Sequence, residues 1–423
     1  MTRARWWRTA AFGLTAALTI PLAACAGGSE PPSDGPTTIS FWNWYQGADG
    51  PTLERIVEEF NSAQEDVIVD MTIMPKDTMI QKLLPAYAAG DGPTLAAVAH
   101  EMVAQYSSKG AVQAVDDFYG EGKLEEDLLP EATLEAVTID GVKYGAPFST
   151  APMMLYYNKT LFAEAGLDGP PESIDQLLED AKAITKYTDG DNSTNVYGLA
   201  QGVFAGIHTW ISFFRNEGGG YVSEDRTESI FDSQSNIDTL TKWAEMFQND
   251  HISLIGMSVP DADALFASGR AGMMINGPWA AAGYEAAGID FGVVPIPAGS
   301  EDQTTVVVGT PIIVASGISE AEREAALTFL TYWNSTENQT DWSTSSGYPP
   351  TRSDIDVSEL GEIPGIFTTA VGAESHMRGV VNFQTIIDDV VVPTISRVLG
   401  GEGTAAELMP EASEQLQQLL DEK

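Results

Sequence analysis

The sequence predicts an α/β protein built as two lobes. Three observations carry this. Segments rich in β-branched and aromatic residues alternate with segments whose apolar residues recur at helical spacing. The strands so predicted are too many for one compact sheet. The 423 residues are 43% hydrophobic and include nine Trp, apolar surface for more than one core.

The first strand is predicted over 38–44, on Ile39, Phe41, Trp42 and Trp44. Pro51 then opens a helix whose Leu53, Ile56, Val57 and Phe60 fall on one face. A second strand over 67–73 has apolar residues at every odd position, and 76–89 reads as helix. A short buried strand over 95–99 and a helix over about 102–108 complete a βαβ rhythm, which implies parallel pairing. The rhythm returns with strands over 153–157, 197–200, 271–275, 291–294 and 305–308. Helices are predicted over 173–184, with Ser173 as N-cap, and over 235–247, 321–333, 337–345 and 404–420. No internal repeat is present.

The N-terminus has a different character. Arg3, Arg5 and Arg8 precede a short apolar run that ends in Leu22-Ala-Ala-Cys25. A basic start, an apolar stretch too short to span a bilayer and small residues at a break read as a secretory signal over 1–24. Cys25 is the only cysteine of the chain. Leu-Ala-Ala-Cys resembles the lipobox of bacterial lipoproteins, which implies an acylated Cys25 at the outer face of the cell membrane. Residues 25–37, rich in Gly, Pro and Ser, read as a flexible tether. About 400 residues remain for folded domains.

Composition excludes some functions. With 61 acidic and 21 basic residues the formal charge is −40, which repels nucleic acid and makes a generally anionic ligand a poor match. His100-Glu101-Met-Val-Ala104 begins like a zinc-protease helix but lacks the second histidine. Four histidines and no spare thiol argue against a zinc site. Asp189, Asp191 and Ser193 alternate as in a calcium loop, without the loop's glycine and distal glutamate. No nucleophile elbow or phosphate-binding glycine loop is present, and no pair of carboxylates stands out for glycoside hydrolysis. No cofactor, no metal and no catalysis are expected.

Several segments, in order along the chain, resemble the family 1 extracellular solute-binding proteins of ABC importers. Ile39-Ser-Phe-Trp-Asn-Trp44 is similar to their first strand. Gly141-Val-Lys-Tyr-Gly-Ala-Pro147, followed by Leu155-Tyr-Tyr-Asn-Lys-Thr-Leu-Phe162, is similar to their first crossing between lobes. Ala165-Gly-Leu-Asp-Gly-Pro-Pro171 and Gly347-Tyr-Pro-Pro350 are similar to characteristic turns. Phe266-Ala-Ser-Gly-Arg-Ala-Gly-Met-Met-Ile-Asn-Gly-Pro-Trp279 resembles the stretch that carries a sugar-stacking Trp in maltose-binding proteins. Where relatives often carry Pro-Asp, this chain has Pro93-Thr94.

The resemblance implies a two-lobed, type II periplasmic-binding-protein-like fold, each lobe a mixed sheet flanked by helices. It assigns 38–149 plus 308–332 to the first lobe and 150–307 plus 333–423 to the second. It also implies a monomer that closes on a ligand between its lobes and delivers it to a membrane permease.

A sugar cleft needs flat rings under C–H faces and polar groups at the rim. Trp279 is the first candidate platform, in a turn after a strand. Trp42, Trp44 and Tyr45 lie at the end of the first strand, with the two tryptophans on one face. Trp210 shares a helix face with Ile207, Ile211 and Phe214, a pattern that favours a core over a ligand contact. Asn276 precedes the Trp279 turn. The chain resembles more narrowly the glycerol-3-phosphate-binding members. Glu101, Gly309, Tyr348 and Arg378 match ligand-contacting positions there. Thr150 falls in the run that is serine-rich in those relatives, and Lys76 stands where they carry an aromatic contact. A sugar or oligosaccharide is the expected ligand, glycerol 3-phosphate or a glycerophosphodiester the alternative, and a secreted glycoside hydrolase a distant third.

Overall fold

The computed structural model describes residues 35–47, 49–190, 194–201, 207–370, 373–374 and 377–422. The signal segment, Cys25 and most of the tether lie outside the described residues. So do Asp191 and Ser193 of the calcium-like turn. The elements described form part of a compact unit that begins at Pro36.

Twelve strands are present among the described residues: β1 Thr37–Asn43, β2 Val67–Ile73, β3 Leu95–Ala97, β4 Thr138–Ile139, β5 Val142–Lys143, β6 Gly145–Pro152, β7 Met154–Asn158, β8 Tyr197–Ala200, β9 Ala271–Asn276, β10 Phe291–Val294, β11 Thr305–Val314 and β12 Ala373–Glu374. They form two main sheets, as the strand count demanded. The first has the order β12-β11-β3-β1-β2, with β6 also paired to β11. β1 pairs in parallel with β2 and β3, as expected for βαβ units, whereas β11 runs antiparallel to β3. The second sheet has the order β10-β7-β9-β8, with only β8 and β9 parallel.

Period-two alternation sorts the side chains into layers. In β1, Ile39 and Phe41 enter one core of the first sheet, whereas Trp42 packs toward the core on the opposite face. In the second sheet Leu155, Met273 and Ile275 face one core, and Met154, Tyr156 and Met274 face the other. Each sheet is therefore covered by helices on both faces. Where end signals exist, the helices use them. Ser173 Oγ accepts from Gln176 N–H at 3.1 Å, and Ser319 with Glu322 forms a complete capping box before Glu320–Trp333.

The two sheets are joined by β6 and β11. Their antiparallel ladder runs from Val307–Pro152 to Ile313–Gly145. β6 leads into β7 of the second sheet after Pro152, and the far end of β11 pairs with β3 of the first. One residue, Phe148, is extra where the register shifts beside Thr310 and Pro311. Its carbonyl accepts from Trp333 Nε1 at 3.1 Å, so the irregularity leaves no orphaned acceptor. The helix Thr336–Ser346 lies against Gly50–Ala63, with Trp342 in the first sheet's core and Arg55 paired to Asp341 at 2.8 Å.

Candidate functional site

An aromatic cluster gathers at the C-terminal end of β1. Trp44 and Tyr45 stack with centroids 6.5 Å apart, and Tyr45 meets Trp342 and Tyr348 at 5.7 and 6.2 Å. Tyr348 lies 5.9 Å from Trp279. Trp279 is half-buried and packs against the first sheet's core and against both cores of the second sheet. Its indole folds back over Gly277, where an added Cβ would stand 2.1 Å from the ring. Glycine is thus what lets this turn hold the ring between two cores.

Polar groups are threaded through the rings. Tyr45 Oη and Ser149 Oγ are 2.6 Å apart, and Tyr348 Oη donates to Asp49 Oδ2 at 3.3 Å. Burial pushes both phenols well above their ordinary range. Burial also raises the Asp49 carboxyl, and the Tyr348 hydroxyl opposes that rise. Asp49 Oδ1 has no partner among the described residues. Lys76 Nζ stands 5.4 Å over the Trp44 ring, a cation–π contact that occupies one face of that indole.

A second group sits on the crossing strands. Thr150 pairs with Gly309 across the β6–β11 ladder. His100 Nδ1 lies 3.1 Å from Gly309 N and 3.3 Å from Gly309 O, and its Nε2 is buried without a described partner. A Cβ at Gly309 would come within 3.0 Å of the Ala136 methyl and 3.2 Å of His100 Nδ1. Thr133 Oγ1 lies 3.5 Å from Thr150 Oγ1. Glu101 is buried in the His100–Met102 turn, its Oε2 3.3 Å from His100 Nδ1. Arg378 Nη2 reaches Glu135 Oε1 at 3.2 Å, on the helix Glu131–Val137 that packs against both crossing strands.

Trp44, Tyr45, Tyr348 and Trp279 thus converge on one region, Trp42 packs toward the core on the opposite face of the first sheet, and Glu101, Thr150, Gly309 and Arg378 gather on the crossing. Three of the candidate residues are enclosed by their neighbours. Trp210 is 1% exposed, with Phe213 and Trp243 against its ring, so it is a core residue with no face to offer a ligand. Asn276 is 2% exposed, and its amide is consumed by Asp263 Oδ1 at 2.6 Å, Tyr284 Oη at 3.0 Å and Gly277 N–H at 2.9 Å. It braces the Trp279 turn instead. Tyr45, at 3% exposure, contributes one ring edge within the cluster, not an open platform. Asp49, Ser149, Glu135 and Trp342 were missed. Asp49 carried a weak signal, since it precedes Gly50-Pro51 at a helix start, but it makes no side-chain cap there.

The bacterial extracellular solute-binding protein family matches residues 55–363. The chain belongs to this family. Its members bind extracellular solutes. The maltotriose-binding protein of Pyrococcus abyssi (strain GE5 / Orsay) is 29% identical over 267 residues, 61% of this chain and 53% of that protein. The chain thus spans about half the length of that curated relative. The sn-glycerol-3-phosphate-binding periplasmic protein of Escherichia coli (strain K12) is 24% identical over 375 residues, 82% of this chain and 81% of that one. A crystal structure of an ABC transporter solute-binding protein from Thermotoga lettingae TMO, bound with alpha-D-tagatose, superposes with a TM-score of 0.78 at 25% identity, over 91% of this chain and all of that one. The two-lobed periplasmic-binding-protein-like fold expected from the sequence is therefore the fold of this family member. Among the described residues no helix is long and apolar enough to cross a membrane.

Proposed function

We propose that this protein is the substrate-binding component of an ABC importer, that it captures a sugar or oligosaccharide between two lobes, and that it releases the ligand unaltered to the permease. The observation that carries this reading is Trp279. One half-buried indole touches the cores of both sheets beside Tyr348, which is where a ring would cover the C–H face of a sugar as the lobes approach. The tagatose-bound and maltotriose-binding relatives favour the same ligand class. Cys25 is proposed as a lipid anchor and 25–37 as the tether, with the folded part a monomer outside the cell membrane.

The first lobe is proposed to hold 38–149 and 308–332, extended through Tyr348 because Trp342 and Tyr348 pack in the first sheet's core. The second holds 150–307 and the remainder to 423. The β6–β11 pair is the hinge. Proposed ligand contacts are Trp279, Trp44, Trp42, Thr150, Glu101, Gly309, Tyr348 and Arg378. A second reading, glycerol 3-phosphate, is favoured by the similarity to the Escherichia coli protein over 82% of the chain.

A thermal-shift screen of neutral saccharides and glycerophosphodiesters tests the proposal. A ligand at 100 times its Kd stabilises by about 2.7 kcal/mol. No shift with any saccharide, or shortened oligosaccharides after incubation with the purified protein, would contradict it.

A further inference from the structure

Resting on the small-molecule cleft just proposed, we infer that this site selects against anionic ligands, and that Glu135 sets the selection by neutralising Arg378; the ligand class is a neutral saccharide or polyol, not a phosphate ester.

A guanidinium is the side chain best shaped to clamp a phosphate, through two parallel N–H donors and a permanent charge. Among the described residues Arg378 is a cation placed to do so at the crossing, and it follows Met377, which is buried in a core of the second sheet. Its Nη2 lies 3.2 Å from Glu135 Oε1, with the two side chains only 23% and 36% exposed. The helix that bears Glu135 packs on β6 and β11, and Thr133 and Ala136 on that helix approach Thr150 and Gly309. The carboxylate is therefore held by the crossing itself. A phosphate approaching Arg378 would have to displace Glu135 or sit beside it, and a like charge at that range opposes the charged form.

Among the described residues the surroundings do not compensate. Lys76 lies over the Trp44 ring at 5.4 Å. Asp49 and Glu101 add buried carboxyl groups on the first sheet's side, 5% and 4% exposed. The whole chain carries a formal −40. A neutral saccharide meets none of this repulsion. Its hydroxyls can donate to carboxylates while its C–H face lies on Trp279.

The test compares the full chain with its Glu135→Gln variant by isothermal titration with sn-glycerol 3-phosphate, inorganic phosphate and maltotriose. Glutamine keeps an oxygen for Arg378 and removes the charge. Glycerol 3-phosphate is expected to bind the variant at least about tenfold more tightly than the native protein, the scale of one nearby charge in a partly screened site. Maltotriose affinity should change by far less than the phosphate gain and should not rise with it, whereas a merely structural role for Glu135 would weaken both ligands alike. Replacing Arg378 by Gln in the same variant should cancel the phosphate gain. If Glu135→Gln folds poorly, Glu135→Ala serves the same comparison. No gain for either phosphate probe in a folded variant overturns the inference, as does a native protein that binds glycerol 3-phosphate more tightly than any neutral saccharide. A phosphate gain without saccharide binding in either protein would instead count against the sugar reading.

Discussion

Trp279 is where the residue scale decides most. A half-buried ring between two cores can serve a ligand without leaving its packing. Trp279→Ala is expected to weaken saccharide binding by about 1–3 kcal/mol, the worth of an aromatic contact, and titration of the folded variant reads this directly. Unchanged affinity would remove Trp279 from the site. The brace beneath it makes a separate, pH-dependent claim. Asp263 Oδ1 accepts from Asn276 Nδ2 at 2.6 Å and Tyr284 Oη at 2.7 Å, yet burial raises its carboxyl above the ordinary 3.8. A raised carboxyl binds its proton more tightly in the folded state. Its stabilisation is thus fully present below the ordinary value and is lost as pH rises through the folded one. Asp263→Asn keeps an acceptor for both donors and removes the charge. Urea midpoints of this variant should fall less between pH 4 and pH 7 than those of the native protein, and an equal or steeper fall would refute the assignment. Sequence pattern could mark these residues but not sort them. Trp210 and Trp279 are both tryptophans among apolar neighbours. Only the surrounding shell, drawn from segments tens to hundreds of residues away, makes one fully buried and leaves the other half-buried between cores.

Elements were legible where their signal is local. The helix Lys76–Ala89 and the strands Val67–Ile73, Tyr197–Ala200 and Phe291–Val294 stand where period and turn residues put them. β6 has no such signal. It reads Gly-Ala-Pro-Phe-Ser-Thr-Ala-Pro, with prolines at positions that usually exclude a strand, and its partner β11 lies some 160 residues on. The Ile386–Val391 segment winds as a π-helix immediately before Pro393, whose missing N–H denies the regular ladder a donor. Nothing in its apolar spacing announces that. Close approach of elements is equally silent in a sequence until glycine is read as a contact. At Gly198 in β8 a Cβ would lie 2.0 Å from the Ala181 carbonyl oxygen, backbone of the helix Ile174–Ile184. Gly198→Ala must force strand and helix apart, and a loss of about 1–3 kcal/mol is expected by urea unfolding. A variant as stable as the native protein would show that this helix does not seat on β8 as described.

At the scale of the molecule, composition and rhythm were informative and chain order was not. Strand count required two sheets, but which segments cross between them depended on the family resemblance, because the β6–β11 ladder joins parts of the chain that share no local pattern. That ladder shapes the last prediction. Two antiparallel strands, each continuing into a different sheet, resist sliding through their hydrogen bonds but allow twist and bend, the motion of a hinge. Trp279 packs on the cores of both sheets beside this ladder, and the helix that bears Glu135 packs on the ladder itself. A ligand that touches both halves therefore binds the closed arrangement more tightly and shifts the population toward it. Small-angle scattering of the full chain should show a smaller radius of gyration with a saturating saccharide than without. A ligand that saturates the protein with no change in radius would mean that the crossing strands hold the halves fixed and that capture proceeds without closure.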